Sequence, residues 1–186
     1  AIPALLEMMN DGEPEVRQMA AFGLGLIGDT AALERLVGGL KDSEGIVRAR
    51  SAEALGRIAD PRGAEPLVAY IRSTTPRVAG TNTVTVRGDD PGNPNDPWAE
   101  LRLGLLALTR LKDAKAAEAI LLQGRQSKYD WWVSAWVASR MELPALAPVL
   151  TQAAQSNDVL SRIYAAKGLG ALKDPSLPPA LAALAQ

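Results

Sequence analysis

Val16-Arg17 reappears as Val47-Arg48, Leu24-Gly25 as Leu55-Gly56, Ile27 as Ile58 and Asp29 as Asp60, and each step is 31 residues. Leu5, Leu36 and Leu67 keep the same step, as do Met9, Leu40 and Ile71, so both halves of the unit recur. A chain with this period is not built around one central core; it is a row of small units that lean on their neighbours. Ala107 to Asp113 repeats Ala54 to Asp60 at an offset of 53, one period plus 22 residues. Ser139-Arg140 follows Thr109-Arg110 by 30 residues, and Gly170 stands 31 beyond Ser139. The units therefore fall at about 1–11 (a half), 12–42, 43–72, 98–126, 127–156 and 157–186, with 73–97 as an inserted Gly/Pro-rich loop.

Each unit reads as two helices. Val16, Met19, Ala20, Gly23, Leu24 and Ile27 have the spacing of a helix that buries one face, and Leu33, Leu36, Val37 and Leu40 form the stripe of its partner. Asp29, Asp60 and Asp174 are placed to N-cap the second helix, with Pro61 and Pro175 next, where a missing N–H costs nothing. Gly25, Gly56, Thr109, Ser139 and Gly170 share one column near the end of the first helix, where small residues let neighbouring helices approach. Composition agrees: 32 Ala and 26 Leu among 186 residues, against eight aromatics, favour close-packed helices over strands.

The absences are as restrictive. With no Cys and no His, the chain lacks a disulfide framework, a thiolate nucleophile, and the commonest general base and metal ligand. Twenty basic and twenty-one acidic residues give a net charge of −1, which provides no field for steering onto nucleic acid or an anionic membrane. No nucleophile elbow, phosphate loop or metal-ligand spacing is present, so no catalytic residue, metal site or cofactor is expected. The start lacks a basic leader and no apolar run reaches the roughly 18 residues of a membrane span. The chain opens on the second half of a repeat and ends at Ala185-Gln186 without a polar cap, as expected of a piece of a longer polypeptide.

The run Val-Arg, Ala-Leu-Gly, Ile and Asp, then Ala, Pro and Leu-Val, as it stands from Val47 to Val68, resembles the short HEAT-like repeat of bilin lyase subunits and many bacterial proteins. The resemblance covers residues 1–72 and 98–186 and says little about activity. It implies an all-α fold, a right-handed α-α superhelix or HEAT-like solenoid with one inserted loop or small hairpin, whose second helices line a concave side used as a platform for other proteins. It leaves open an accessory role in attaching a tetrapyrrole. HEAT-like iron hydroxylases hold their metal with His and Glu, and this segment has no His.

The insertion reads as non-helical: Thr81 to Arg87 alternates Thr and Val like a strand that could form a small hairpin with Val78 to Gly80. Asp89, Asp90, Asn93, Asn95 and Asp96 offer five oxygen-bearing side chains, so a calcium-dependent loop on an extracytoplasmic module is a further alternative, although the spacing is not that of an EF-hand.

Trp131, Trp132 and Trp136 hold three of the four tryptophans. Trp132 and Trp136 fall in the columns of Ala49 and Glu53, expected to face away from the pair's own core, and Arg102 and Leu106 occupy those columns one unit earlier. The four are candidate partner-binding residues, unless the insertion folds back over them. Along the second helices the candidates are Glu34, Arg35, Lys41, Glu65, Tyr70, Arg72, Glu118, Gln123, Gln152 and Gln155, and Tyr70 and Arg72 join the partner-binding set. Arg17, Arg48 and Arg162 share a column, and a ladder is expected in which each pairs with the Asp of the preceding turn, as Arg48 with Asp29. The expected function is a non-catalytic protein-interaction or scaffold module with a protein or peptide partner, using neither nucleic acid nor membrane and monomeric in isolation.

Overall fold

In the computed structural model, residues 1–79, 96–122 and 132–173 are described, and within them every element is helical. The first compact unit, Ala1–Leu111, carries α1 (Ile2–Met8), α2 (Pro14–Ile27), α3 (Leu33–Gly39), α4 (Gly45–Ile58), α5 (Ala64–Ala79) and α6 (Pro97–Leu111). The second, Lys112–Gln186, carries α7 (Ala114–Leu121), α8 (Trp132–Met141), α9 (Ala147–Ala153) and α10 (Val159–Leu172). In the first unit α2, α4 and α6 pack side by side, and α1, α3 and α5 lie against them in turn. In the second, α8 packs on α10, and both are backed by α9.

These helices start and stop where local chemistry directs. The Asp29 and Asp60 carboxylates accept the N–H groups of Ala31 and Arg62, at 2.8 and 2.9 Å, but what they cap is a turn of 3-10 helix, Thr30–Ala32 and Pro61–Gly63, leading into α3 and α5. Asp113 caps α7 by accepting from Ala116 N–H. At the other end, Gly28, Ala59, Lys112, Glu142 and Lys173 have φ of 75°, 56°, 53°, 52° and 51° and form one repeat column. The backbone must turn left-handed there to leave the helix, and four of the five do so with a Cβ in the way.

The small-residue column does what its spacing predicts. A Cβ on Gly25 would stand 2.7 Å from Ala54 Cα, and one on Gly56 would stand 2.5 Å from Ala107 Cα, so α2, α4 and α6 meet backbone to backbone. In the second unit the glycine is on the other partner: Gly168 of α10 faces Ser139 of α8, where a Cβ would come within 3.0 Å of Ser139 Cα. Ser139 and Thr109 fit the column because their hydroxyls donate to the carbonyls of Trp136 and Leu106 in their own helices, at 2.8 and 2.7 Å. Leu24, Leu36, Leu55, Leu67, Leu101, Leu105 and Leu108 fill the first core and Leu146, Leu150 and Leu169 the second, all fully buried.

Two expectations need correction. The inserted segment does not leave the helix at Ser73, because α5 runs on to Ala79. The Ser73 and Thr74 hydroxyls donate to the Tyr70 carbonyl, at 2.7 and 3.0 Å, a local pairing compatible with helix, and Pro76 removes one N–H without ending it. Val78 and Ala79, expected as part of a small hairpin, are the end of α5 instead, while the rest of that hairpin, Gly80 to Arg87, and most of the calcium-loop residues lie in 80–95, outside the described residues, as do Trp131, Gln123 and Asp174. Asp96 is described, and its carboxylate accepts the Trp98 N–H at 3.0 Å at the start of α6.

The arginine ladder exists with different rungs. Arg17 makes a two-point pair with Asp42, 2.8 Å on both sides, and Arg48 pairs the same way with Glu100, 2.9 Å on both sides. Asp29, engaged at its own turn, is not the partner. Each of these arginines also closes the turn before its own helix: Arg17 donates to the Asp11 and Gly12 carbonyls and Arg48 to those of Asp42 and Ser43. Arg162 does the same to Ser156 O in the second unit. The column is thus a loop clamp that, in the first unit, doubles as a bridge, from Arg17 to the loop before α4 and from Arg48 to α6 of the next repeat.

Candidate functional site

The second helices α3 and α5 present a groove of about 440 Å³ lined by Val37, Leu40, Lys41, Glu65, Pro66, Ala69, Tyr70 and Ser73. Its shape follows from the helix pattern. Leu36, Leu67 and Ile71 are buried in the core, so the next positions round each helix, Val37 on α3 with Leu40 just past its end, and Pro66 and Ala69 on α5, form an apolar bed beside it. Lys41 and Glu65 also line it, with opposite charge.

Of the sequence candidates, Lys41, Glu65 and Tyr70 line this groove, and Arg72 is exposed on the same helix as Tyr70. Tyr70 departs from the expectation of an open contact residue: it is 4% exposed, and its hydroxyl lies 3.2 Å from the Glu100 carboxylate. Glu100, itself 1% exposed, receives both that phenol and the Arg48 fork, so one buried carboxylate ties α4, α5 and α6 together behind the groove wall. Hydrogen bonding to Glu100 outweighs burial and raises the Arg48 pKa above its usual value. Arg35 is turned away from the groove, donating to Met9 O and the Asn10 side chain at the end of α1. Sequence reasoning passed over Val37, Leu40, Pro66 and Ala69 as site residues because their spacing marks them first as core stripe. It also missed Glu100, whose signal was a carboxylate inside the apolar run from Trp98 to Leu108.

The columns expected to face outward are mostly covered. Ala49 is 1% and Glu53 7% exposed, because the neighbouring first helices close over them. Glu53 accepts from Arg50 at 2.8 Å and from Arg57 at 2.9 Å, and both guanidinium groups lie over the Phe22 ring, 5.4 and 5.5 Å from its centroid. Burial pushes the Glu53 carboxyl up, but the two arginines overcome it and hold the pKa below the usual range. In the second unit Trp132 and Trp136 are half-buried, and Trp132 stacks on Tyr164 of α10 with centroids 6.0 Å apart. The cover on Trp132 thus includes the next repeat. Arg102 and Leu106 are half-exposed on α6 of the first unit.

Among the described residues no group of acidic side chains is arranged to hold a metal ion, and no helix is long and apolar enough to cross a membrane. Residues 2–82 match the family described as HEAT repeats, and residues 161–186 match the PBS lyase HEAT-like repeat. No curated protein matches the chain. Among solved structures, an engineered protein superposes with a TM-score of 0.57 at 17% identity, over 92% of this chain and 78% of that one. Human deoxyhypusine hydroxylase in complex with glycerol gives a TM-score of 0.39 at 22% identity, over 100% and 78% of the two chains. The complex of CpcE and CpcF of phycocyanin lyase from Nostoc sp. PCC7120 gives 0.45 at 19%, over 97% and 80%. Helix pairs in a 31-residue period, small-residue joints between first helices and matches to two HEAT descriptions agree: the chain is a HEAT-like repeat protein.

Proposed function

We propose that the chain is a non-catalytic protein-interaction module, a scaffold that takes an extended peptide in the groove between α3 and α5. The groove carries this reading: an apolar bed of Val37, Leu40, Pro66 and Ala69, with Lys41 and Glu65 also lining it, suits a segment with one or two apolar anchors flanked by charges. Arg72 extends the charged margin on α5. Trp132 and Trp136, and separately Arg102 and Leu106, are proposed as secondary contact residues, each pair within its own unit. Peptide-display selection against the chain tests the reading, with Ala69→Trp as a variant whose groove is filled. Peptides enriched on the parent and lost on the variant are the expected result; equal retention on both, or no enrichment, rules the groove out. The match of residues 161–186 to a lyase-type repeat favours one second reading, an accessory subunit acting on a tetrapyrrole. Absorbance titration with a bilin separates the two, because a scaffold leaves the pigment spectrum unchanged.

A further inference from the structure

The α3–α5 groove has a counterpart one period earlier, where α3 meets the end of α1, and the two differ in what fills them. One repeat before Leu40, Lys41 and Pro66 stand Met9, Asn10 and Arg35. In the earlier joint Arg35 crosses from α3, donating to the Met9 carbonyl at 2.6 Å and to the Asn10 side chain. Its Nε is buried without a hydrogen-bond partner, so this guanidinium is held by a carbonyl and an amide oxygen and by no carboxylate. Along the chain the column reads Ala4, Arg35, Pro66, Ala119 and Val149, and Arg35 alone has a side chain that can reach across.

In the later joint that plug is missing. Pro66 brings no polar side chain, and a space of about 440 Å³ remains. The Leu40 carbonyl, in the place of the Met9 carbonyl, accepts no hydrogen bond from the described residues. Lys41 and Glu65 line the space and make no ion pair with the described residues. An unused carbonyl and an unpaired carboxylate beside an apolar bed call for a cationic donor.

We infer that the groove takes an arginine side chain of its peptide, seated in the space that Arg35 fills one repeat earlier, with an acidic residue next to that arginine in the peptide. The inference rests on the peptide-groove reading above and adds the chemistry of the peptide. The guanidinium donates to the Leu40 carbonyl and to the Glu65 carboxylate, two acceptors that its planar fork serves together and a lysine ammonium does not. Lys41 stands where the earlier joint has the neutral Asn10, so a cation entering alone meets a like charge. A peptide Asp or Glu beside the arginine answers Lys41, and an apolar neighbour lies on Val37 and Leu40. A segment with lysine in place of the arginine, or without the acidic residue, is selected against.

Titration of the isotope-labelled chain with the capped peptide acetyl-Leu-Arg-Glu-Leu-amide, followed by NMR, tests this. The expected result is saturable shifts at the Leu40, Lys41 and Ala69 amides. Replacing the peptide's arginine by citrulline, which has the same shape without the charge, weakens binding about tenfold, the scale of one charge-assisted hydrogen bond. Pro66→Arg installs the plug of the earlier joint and abolishes binding, while Pro66→Ala keeps it; circular dichroism verifies that both variants fold. Equal binding of the arginine and citrulline peptides, or binding to Pro66→Arg as to the parent, overturns the inference. If display selection enriches peptides that need the groove but carry no arginine, the groove reading stands and this one falls. If no peptide shifts the groove amides, both fall.

Discussion

The joint between α4 and α6 in the first unit and the joint between α8 and α10 in the second bring together the same faces of equivalent helices with different chemistry. In the first, glycine is on the earlier helix and alanine on the later, and Arg48 reaches across to a carboxylate buried in α6. In the second, serine is on the earlier helix and glycine on the later, Arg162 holds only its own turn among the bonds described, and a tryptophan–tyrosine stack spans the helices. What is kept is the sum of two side-chain sizes at the contact, not the identity of either. The polar bridge is an addition that a given joint can carry or replace with rings.

The contrast breaks most directly at the bridge. Arg48→Met leaves Glu100 inside the protein without its guanidinium and is expected to destabilise the chain by about 3 to 5 kcal/mol, whereas Arg162→Met loses a hydrogen bond to a turn carbonyl and costs about 1 kcal/mol. Urea unfolding of the two variants measures the difference, and equal losses show that the two joints rest on the same kind of contact after all. Gly56→Ala comes next. Its Cβ meets the backbone of α6, which cannot rotate aside, so a loss of about 1 to 3 kcal/mol is expected. At Gly168 the two nearest atoms are Leu150 methyls, which can move, and the Ser139 backbone stands farther off at 3.0 Å, so alanine's helix preference of about 1 kcal/mol offsets part of the crowding and Gly168→Ala is expected to cost less than Gly56→Ala.

Much of this architecture is legible in the residues, and what is not has identifiable causes. The period, the helix pairs and the small-residue column follow from spacing alone, because a helix repeating every 31 residues presents equivalent positions to equivalent neighbours. The left-handed helix ends escaped notice because Ala59, Lys112, Glu142 and Lys173 are residue types with no preference for that conformation; only Gly28 carries the signal. The true partners of Arg17 and Arg48 escaped it because Asp42 and Glu100 occupy different columns, one at the end of the same repeat and the other in the next. The groove was half legible: Lys41, Glu65 and Tyr70 were in view, but its apolar bed is indistinguishable by spacing from the edge of a core stripe.

The bridges of the first unit also give it an acid sensitivity. Asp42 is pushed up by burial but held lower overall by its hydrogen bonds from Arg17 and the Glu44 N–H, and Glu53 is lowered in the same manner. Both are harder to protonate folded than unfolded, so the stability they contribute is complete above the ordinary carboxylate pKa and is lost as pH falls through the lowered folded value. Thermal melting is expected to be level from pH 7 to about 5 and to fall below about 4, and Asp42→Asn to show a shallower fall. A fall as steep in Asp42→Asn as in the parent removes Asp42 from the explanation. A small gain is also expected: Ala59→Gly relieves a Cβ at φ 56° and stabilises by about 0.5 to 1 kcal/mol in the same melts, and a loss there shows that the left-handed turn is not strained.

The two bridges of the first unit differ most in how much chain they enclose. Arg17 and Asp42 are 25 residues apart, and Arg48 and Glu100 are 52 apart, yet both end in the same two-point geometry. Closing a loop twice as long raises the entropic cost by only about 0.6 kcal/mol. The repeat array therefore has a position, between α5 and α6, where added sequence is thermodynamically cheap and the stacking of helices continues as if nothing had been added. New loops can be acquired there, and lost again, without retuning any joint.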